Sequence, residues 1–335
     1  MTAFDQGRHA ARRSKLERRK GGDMRRGGPV GGTGAVDASG AIVRLGEPAC
    51  HDPRVTGGKA AALSRLAEHF VVPHGFCITS TALAGITPPV RLPSRLRAGV
   101  LDAYLDLPAT GSPVAVRSSA VDEDGALTSF AGVHETYLNV HGDDALLIAI
   151  ERCLESFFSP RAASYRHERG AAHGAFEEVR MAVLVQQQIA SDVSIVAFSA
   201  NPVTSRRDEV VVTASWGLGE SIVGGTVTPD TWVVDHAGEC LREEHIGDKR
   251  RMTIAAEHGC REVDVPRVLR NKPSLAWGQV SEVARLAARL ERQTGYPVDI
   301  ECAYAGSRLY LLQCRPITTL SPARDRAGPS PTASW

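Results

Sequence analysis

The feature that most constrains the fold of this chain is a pair of apolar strands separated by a very short connection. The segments "VDIECAY" (298–304) and "RLYLLQC" (308–314) are joined by "AGS", which is typical of a β-hairpin. A turn centred on the serine pairs Glu301 with Gln313, and directly opposite residues point to the same face of a sheet. Asp299, two positions back, joins that face. The sequence therefore predicts carboxylate and amide oxygens side by side on one surface.

This predicted surface has the composition of a magnesium and phosphate site. Glu301 and Gln313 offer the hard oxygen atoms that Mg²⁺ prefers, and Arg315, at the end of the strand, is suited to phosphate. Strict alternation along the second strand places Leu309 and Leu311 on the same face as Gln313. A solvated hairpin face with one salt bridge is the alternative interpretation, and the hairpin alone does not decide between the two.

Three further segments contain features that suit phosphate binding. In "TGGKAA" (56–61), two glycines precede a helical pattern with Lys59 in its first turn, although the spacing is not that of a Walker A loop. Arg117 ends the apolar strand of "VAVRSS", and "SFAGVHETYLNV" (129–140) is a loop of small residues leading into a strand. Taken singly, each also fits an ordinary surface lysine, polar turn or hairpin turn. Together with the hairpin they supply the charge neutralisation and metal ligands that nucleoside triphosphate chemistry requires.

Composition argues against several classes of function. The chain has 335 residues, of which 43% are hydrophobic, and a formal net charge of +1. This supports a sizeable core but gives no overall charge that favours nucleic acid or an anionic membrane. No apolar run reaches the roughly 18–20 residues of a membrane span, and the N-terminal stretch lacks the apolar region of a signal peptide. Seven cysteines without a C-x-x-C pair argue against disulfides or zinc, so we expect a cytoplasmic protein.

The order of helical and strand patterns predicts an α+β protein with two lobes. Residues 1–40 are rich in arginine and glycine, and residues 321–335 are rich in proline, serine and alanine, so we expect a basic disordered tail at the start and a second disordered tail at the end. Between the tails, helices and strands mix without a strict β-α-β order. We place the N-terminal lobe at 41–178 and the C-terminal lobe at 179–320.

Several segments in sequence resemble a known family of enzymes. The segments are "GGKAAALSRL", "VPHGFCIT", "AVRSSAVDED", "SFAGVHETYLNV", "FSANPVT", "ASWGLGESIVGGTVTPD" and "DIECAY" with "RLYLLQCRPIT". They cover roughly 45–320 in the order and spacing of the N-terminal ATP-binding domain of the pyruvate phosphate dikinase, phosphoenolpyruvate synthase and rifampin phosphotransferase family. The resemblance implies an ATP-grasp-like fold that holds ATP and Mg²⁺ between its two lobes.

The resemblance also implies roles for individual residues. Those assigned to ATP phosphates are Lys59, Arg117, Gly132 and Thr136. Adenine and ribose contacts fall to Gln186, with Gln188 and Ile189 contributing less. The implied Mg²⁺ ligands are Glu301 and Gln313, and Arg315 is expected to stabilise charge on the transferring phosphoryl group. Lys59, Arg117 and Arg315 form the expected catalytic set.

The largest departure of the chain from the family concerns the acceptor of the phosphoryl group. It contains no T-S-H-type phosphohistidine motif. We therefore expect a Mg-ATP-dependent phosphotransferase that passes a phosphoryl group to a histidine of a separate carrier protein, with an unidentified small molecule as the final acceptor. A free-standing small-molecule kinase or ATP-grasp ligase is one alternative, and a module that senses ATP without catalysis is another.

Overall fold

The computed structural model describes residues 40–108, 111–120, 136–159 and 181–320. The two predicted tails, apart from residue 40, lie outside these ranges, and so does Gly132 of the predicted phosphate loop.

Strands and helices are mixed throughout the described ranges. The strands are β1 (Ile42–Arg44), β2 (Gly75–Ile78), β3 (Val114–Ala120), β4 (Thr136–Val140), β5 (Met181–Gln187), β6 (Val193–Phe198), β7 (Glu209–Trp216), β8 (Asp230–Asp235), β9 (Leu241–His245), β10 (Arg251–Ala255), β11 (Cys260–Asp264), β12 (Val298–Ala305) and β13 (Arg308–Pro316). The helices are α1 (Pro53–Leu66), α2 (Ser80–Leu83), α3 (Ser94–Leu105), α4 (Asp143–Phe157), α5 (Glu220–Val223), α6 (Arg267–Arg270) and α7 (Trp277–Thr294), with a 3₁₀ turn at Pro48–Cys50. The predicted α+β class is confirmed. None of the described helices combines the length and apolar character needed to cross a membrane.

The first sheet has five antiparallel strands in the order β1-β2-β5-β3-β4. Successive side chains along each strand point to opposite faces of this sheet, and both faces are buried. On one face, Val183 packs in a core with Val100 of α3 and Ile150 of α4. On the other face, Leu184 packs in a separate core with Leu63 of α1. The first sheet is therefore covered by helices on both sides.

Strand β5 corrects the predicted boundary between the lobes. We assigned its residues to the C-terminal lobe, 179–320, but β5 lies at the centre of the first sheet, between β2 and β3. Val183, for example, pairs with Ile78 on one side and with Ser118 on the other. The chain therefore leaves the first sheet after Gln187. The alternation of apolar residues identifies a strand, but it does not specify which strands are its neighbours.

The second sheet has six antiparallel strands in the order β13-β12-β6-β7-β8-β9. Helix α7 packs on one face, where Val283 and Leu290 share a core with Ile195. On the opposite face, Val196 and Phe198 are only half-buried. Pairing across β6 and β12 places the predicted metal ligands on this half-buried face.

Helix α1 connects the two sheets. Its residues Leu63 and Leu66 belong to one core cluster with Leu184 of the first sheet and with Leu311 and Cys314 of the second. Burial of such side chains contributes roughly 1.5–3 kcal/mol each. The face of the first sheet that bears Leu184 is therefore held against the β12–β13 side of the second sheet.

A buried asparagine makes a further connection, from the first sheet to the β10–β11 hairpin. Asn139 in β4 has a φ of 55°. Its Nδ2 donates to the backbone carbonyls of Ala256 and Gly259 at 2.6 and 2.7 Å, and the Nε2 of His141 lies 2.8 Å from its Oδ1. Asparagine adopts positive φ more readily than most residues, so both its backbone and its side chain suit this position.

We predict that Asn139→Gly lowers the free energy of unfolding by about 1–3 kcal/mol, because two partly buried carbonyls lose a donor while positive φ remains accessible. Urea unfolding measures the loss, and amide hydrogen exchange should become faster in 251–264. Asn271→Gly, at the exposed end of α6 with a φ of −107°, is the matched control for added flexibility. Equal stability of the two variants would contradict the assigned role of Asn139.

Candidate functional site

The closing hairpin has the predicted pairing, although the turn is tighter than expected. Ala305 pairs with Arg308, and Glu301 pairs with Gln313. A two-residue turn by itself would bring Glu301 opposite Leu312. The register shifts by one at this point, so that Leu312 is bulged and Glu301 faces Gln313.

The bulge corrects the predicted faces of the second strand. We expected Leu309, Leu311 and Gln313 on one face, but an extra residue in the strand reverses the alternation beyond it. Leu311 lies opposite Cys302, and both are in the core cluster, with Leu309 packed against it. Gln313 lies on the other face with Glu301. The bulge therefore separates the amide from the leucines and places it with the carboxylate.

Arg117, at the centre of β3 in the first sheet, reaches across to this hairpin. Its Nη2 donates to the Oε1 of Gln313 at 2.5 Å and lies 3.5 Å from the Oε2 of Glu301. Its Nη1 donates to the carbonyl of the bulged Leu312 at 2.8 Å. Arg117 is 9% exposed, so this charge is largely screened from bulk water. The guanidinium that was predicted to bind phosphate therefore contacts both predicted metal ligands.

A second ion pair lies beside the first on the same face of the hairpin. Arg315 pairs with Asp299 across the two strands, and its Nε and Nη2 lie 2.8 and 2.7 Å from the Oδ2 of Asp299. Burial raises the pKa of Asp299, the neighbouring Glu301 adds to this rise, and the Arg315 guanidinium opposes it. Arg315 retains more exposure than its partner, at 36% of its side chain. This face of the hairpin therefore carries two carboxylates, one guanidinium and one amide.

The glycine pair of α1 produces a helix start inside the helix. Gly57 has φ 75° and ψ 167°, which interrupts the helical path. A Cβ at this position would lie 2.0 Å from the carbonyl oxygen of Ser119, so only glycine permits this approach to β3. The backbone N–H of Ala60 then donates to the Oγ of Ser119 at 3.1 Å, and the Nζ of Lys59 donates to the carbonyl of Ser118 at 3.4 Å. Lys59 is thereby placed next to the strand that carries Arg117.

Two other predicted residues lie on the same face of the first sheet as Arg117. Thr136 pairs directly with Arg117 across β3 and β4, and it is exposed. Gln186 pairs with Ala115 and is therefore displaced along the sheet from Arg117 by two residues, which is about 7 Å. Its side chain is buried, and its Nε2 donates to the carbonyl of Pro73 at 3.1 Å.

The remaining predicted residues, Gln188 and Ile189, lie in the segment that leads from β5 to β6. The Nε2 of Gln188 donates to the carbonyl of Ile189 at 3.4 Å. Its Oε1 is buried and has no hydrogen-bond partner among the described residues. Gln188 and Ile189 follow Gln186 in the chain and so lie farther than Gln186 from Leu184, the partner of Arg117. They lie where the chain passes from the first sheet to the second.

Some residues of the site were not found by sequence reasoning. Ser119 fixes the start of the second part of α1, and its position two residues after Arg117 was the available signal, because alternate residues of a strand share a face. Val196 and Phe198 lie opposite Glu301 and Asp299, respectively, and give this wall an apolar extension. The sequence shows that Val196 and Phe198 alternate within β6, but it does not show that β6 pairs with β12.

The donor set fits Mg²⁺ held together with a polyphosphate. Glu301 and Gln313 present a carboxylate and an amide oxygen side by side, and Mg²⁺ usually takes one or two protein oxygens and completes its shell with water and phosphate. Within 40–108, 111–120, 136–159 and 181–320, no cluster of three or more His, Cys, Asp or Glu side chains could hold a metal alone. Lys59 and Arg117 supply the cationic side that a polyphosphate requires. An α+β fold with such a site is typical of a protein that binds nucleotide polyphosphates.

Comparison with known proteins identifies the family. Residues 86–333 match the family model described as "Pyruvate phosphate dikinase, AMP/ATP-binding domain". The chain belongs to this family, and the resemblance drawn from the sequence segments is confirmed.

Similar proteins are considerably longer than this chain. A "Probable phosphoenolpyruvate synthase" from Methanocaldococcus jannaschii is 38% identical over 234 residues, which are 68% of this chain and 19% of that protein. An "Uncharacterized phosphotransferase YvkC" from Bacillus subtilis is 35% identical over 291 residues, which are 82% of this chain and 34% of that protein. Among solved structures, D-alanine–D-alanine ligase from Bacillus anthracis complexed with ATP is 10% identical, with a TM-score of 0.34 over 82% of this chain and 58% of that chain. The matched region thus spans about a fifth of the phosphoenolpyruvate synthase and about a third of the phosphotransferase.

Proposed function

We propose that this chain binds Mg·ATP between its two sheets and transfers a phosphoryl group to a histidine of a separate carrier protein. The observation that carries the proposal is the position of Arg117, whose Nη2 lies 2.5 Å from the Oε1 of Gln313 and 3.5 Å from the Oε2 of Glu301. A phosphate-binding cation and two oxygen ligands for a metal meet at one point, as phosphoryl transfer requires. The names of the relatives, which include a phosphotransferase and a phosphoenolpyruvate synthase, support the same class of reaction.

The proposed orientation of ATP follows the face of the first sheet. Lys59, Arg117 and Thr136, with Gly132 of the preceding loop, bind the phosphates. Gln186 contacts the adenosine, together with Gln188 and Ile189. Gln188 is four residues along the chain from Leu184, the partner of Arg117, which corresponds to about 13 Å of extended chain. That separation suits a nucleotide lying with its base near the connection between the sheets and its phosphates near Arg117.

The hairpin residues act at the phosphate end. Glu301 and Gln313 would hold Mg²⁺, which when bound neutralises charge on the phosphate oxygens. Arg315 lies on the same face and stabilises the charge that develops on the transferring group. In the proposed reaction both phosphoanhydride bonds of ATP are broken. One phosphoryl group goes to the carrier histidine, the other leaves as inorganic phosphate after attack by water, and AMP remains.

Transfer of labelled phosphate tests this function. The chain is incubated with Mg²⁺, ATP labelled in its phosphates, and a phosphohistidine-domain protein encoded near it. We expect label on the carrier that is stable to alkali and labile to acid, which is characteristic of phosphohistidine. Absence of label on the carrier while ADP accumulates would favour a free-standing kinase or ligase instead.

We predict that Arg315→Lys lowers the rate of phosphoryl transfer by about 10²-fold with little change in the KM for ATP, because an ammonium cannot reproduce the planar fork of the guanidinium. Steady-state kinetics of the labelled transfer measures both constants. Arg97→Lys is the matched control, since Arg97 also pairs with a mostly buried carboxylate, Glu151, at 3.4 Å, away from the hairpin. A rate for Arg315→Lys within twofold of that of the control would remove Arg315 from the catalytic set.

A further inference from the structure

Arg117 contacts side-chain oxygen atoms of Glu301 and Gln313, the two residues that are expected to bind the metal. Its Nη2 donates to the Oε1 of Gln313 at 2.5 Å and lies 3.5 Å from the Oε2 of Glu301. Gln313 is buried and the side chain of Glu301 is 27% exposed. Water therefore has only limited access to these oxygen atoms and cannot fully take the place of Arg117. The guanidinium therefore already serves as the counter-charge of the metal ligands.

The other cations near this wall are engaged elsewhere. Arg315 is held by Asp299 through two contacts of 2.8 and 2.7 Å to one carboxylate oxygen. Lys59 donates to the carbonyl of Ser118. Among the described residues, only Arg117 forms an ion pair with Glu301. The charge that meets an incoming metal at Glu301 is therefore that of Arg117.

Part of the Arg117 guanidinium lacks a partner in this arrangement. Its Nε is buried and has no hydrogen-bond partner within the described part of the chain. A buried donor without an acceptor is unfavourable, and a phosphate oxygen is a strong acceptor for a guanidinium. The side chain therefore has an unused donor that a polyphosphate would satisfy.

We propose that Arg117 is a built-in cation that holds Glu301 and Gln313 until a polyphosphate arrives, so that the metal enters with the nucleotide and not before it. A divalent cation bound to the same oxygens would lie within a few ångströms of the guanidinium, where like charges repel strongly at low dielectric. Phosphate oxygens neutralise both cations and remove this repulsion. The inference rests on the proposed function of the site, and it adds the order in which the ligands bind.

Manganese binding without nucleotide tests this order. Mn²⁺ is titrated into the wild-type chain, Arg117→Met and Arg117→Gln, and free Mn²⁺ is measured by electron paramagnetic resonance. We expect the wild-type chain to lack a site at sub-millimolar Mn²⁺, and both variants to gain one site that is at least about tenfold tighter. The gain should disappear when Glu301→Gln is added. Arg117→Lys, which keeps the charge, should behave like the wild-type chain.

The controls separate this inference from the proposed function. Arg97→Met removes an arginine from the partly buried Glu151 pair and should gain no Mn²⁺ site. Circular dichroism establishes that each variant is folded, and Arg117→Gln retains a donor for the carbonyl of Leu312 if Arg117→Met does not fold. Equal Mn²⁺ affinity of the wild-type chain and both variants would overturn the proposal. Because no nucleotide is present, failure of phosphoryl transfer cannot produce that result.

Discussion

Replacing Glu301 by glutamine is expected to reduce Mg²⁺-dependent ATP turnover by at least about 10²-fold, with a moderate fall in the thermal midpoint because the mostly buried Arg117 loses its counter-charge. Glutamine keeps the shape of the side chain and can still accept a hydrogen bond from Arg117. It lacks the negative charge that attracts a divalent cation to an oxygen pair of this kind. Labelled transfer to the carrier gives the rate, and a thermal melt gives the midpoint.

Glu243→Gln is the matched control for this substitution. Glu243 is an exposed carboxylate on β9, and successive pairings from β9 to β12 place it on the same face of the sheet as Asp299 and Glu301. It is four strands away from Glu301, which is about 19 Å. We expect this control to turn over like the wild-type chain. Normal turnover by Glu301→Gln would mean that the hairpin is not the metal wall.

Replacing Gly57 by alanine is expected to cause the largest loss of stability, about 2–6 kcal/mol. Its backbone, at φ 75° and ψ 167°, lies in a region that is almost restricted to glycine. The added Cβ would lie 2.0 Å from the carbonyl oxygen of Ser119 and 2.3 Å from its Oγ, so helix and strand must move apart. Chemical denaturation measures the loss.

Gly278→Ala provides the comparison for the cost of a glycine-to-alanine change. Gly278 lies in the first turn of α7, and a Cβ there would meet no atom within 4 Å. We expect the control to be as stable as the wild-type chain or slightly more stable, because alanine favours a helix over glycine. If Gly57→Ala lost no more stability than this control, the close approach of α1 to β3 would not be a requirement of the fold.

The hairpin illustrates what sequence could and could not predict. The predicted pairing of Glu301 with Gln313 is present, but only because a one-residue bulge offsets a turn that is tighter than the expected one. The bulge at Leu312 was not predictable, since apolar residues on both sides of the strand conceal an extra residue. The pairing was therefore right while the assignment of Leu309 and Leu311 to the face of Gln313 was wrong.

A second limit of prediction from sequence was the pairing of strands that are far apart in the chain. The apolar pattern of β5 identified a strand. Its partners β2 and β3 lie far from it in the chain, so no local signal shows that β5 is at the centre of the first sheet. The side chain of Arg117 was interpreted as a phosphate ligand from an expected position at a strand tip, whereas Arg117 lies at the centre of β3. Its contacts with Glu301 and Gln313 depend on how the two sheets approach, which is a property of the α1 core and not of any one segment.

The most direct test of the account is product analysis of ATP by phosphorus NMR, with the chain and Mg²⁺ alone and then with a neighbouring phosphohistidine-domain protein and pyruvate. We expect AMP and inorganic phosphate only when the carrier protein is present. Formation of ADP by the chain alone, increasing with an added metabolite, would contradict it and identify a free-standing kinase or ligase.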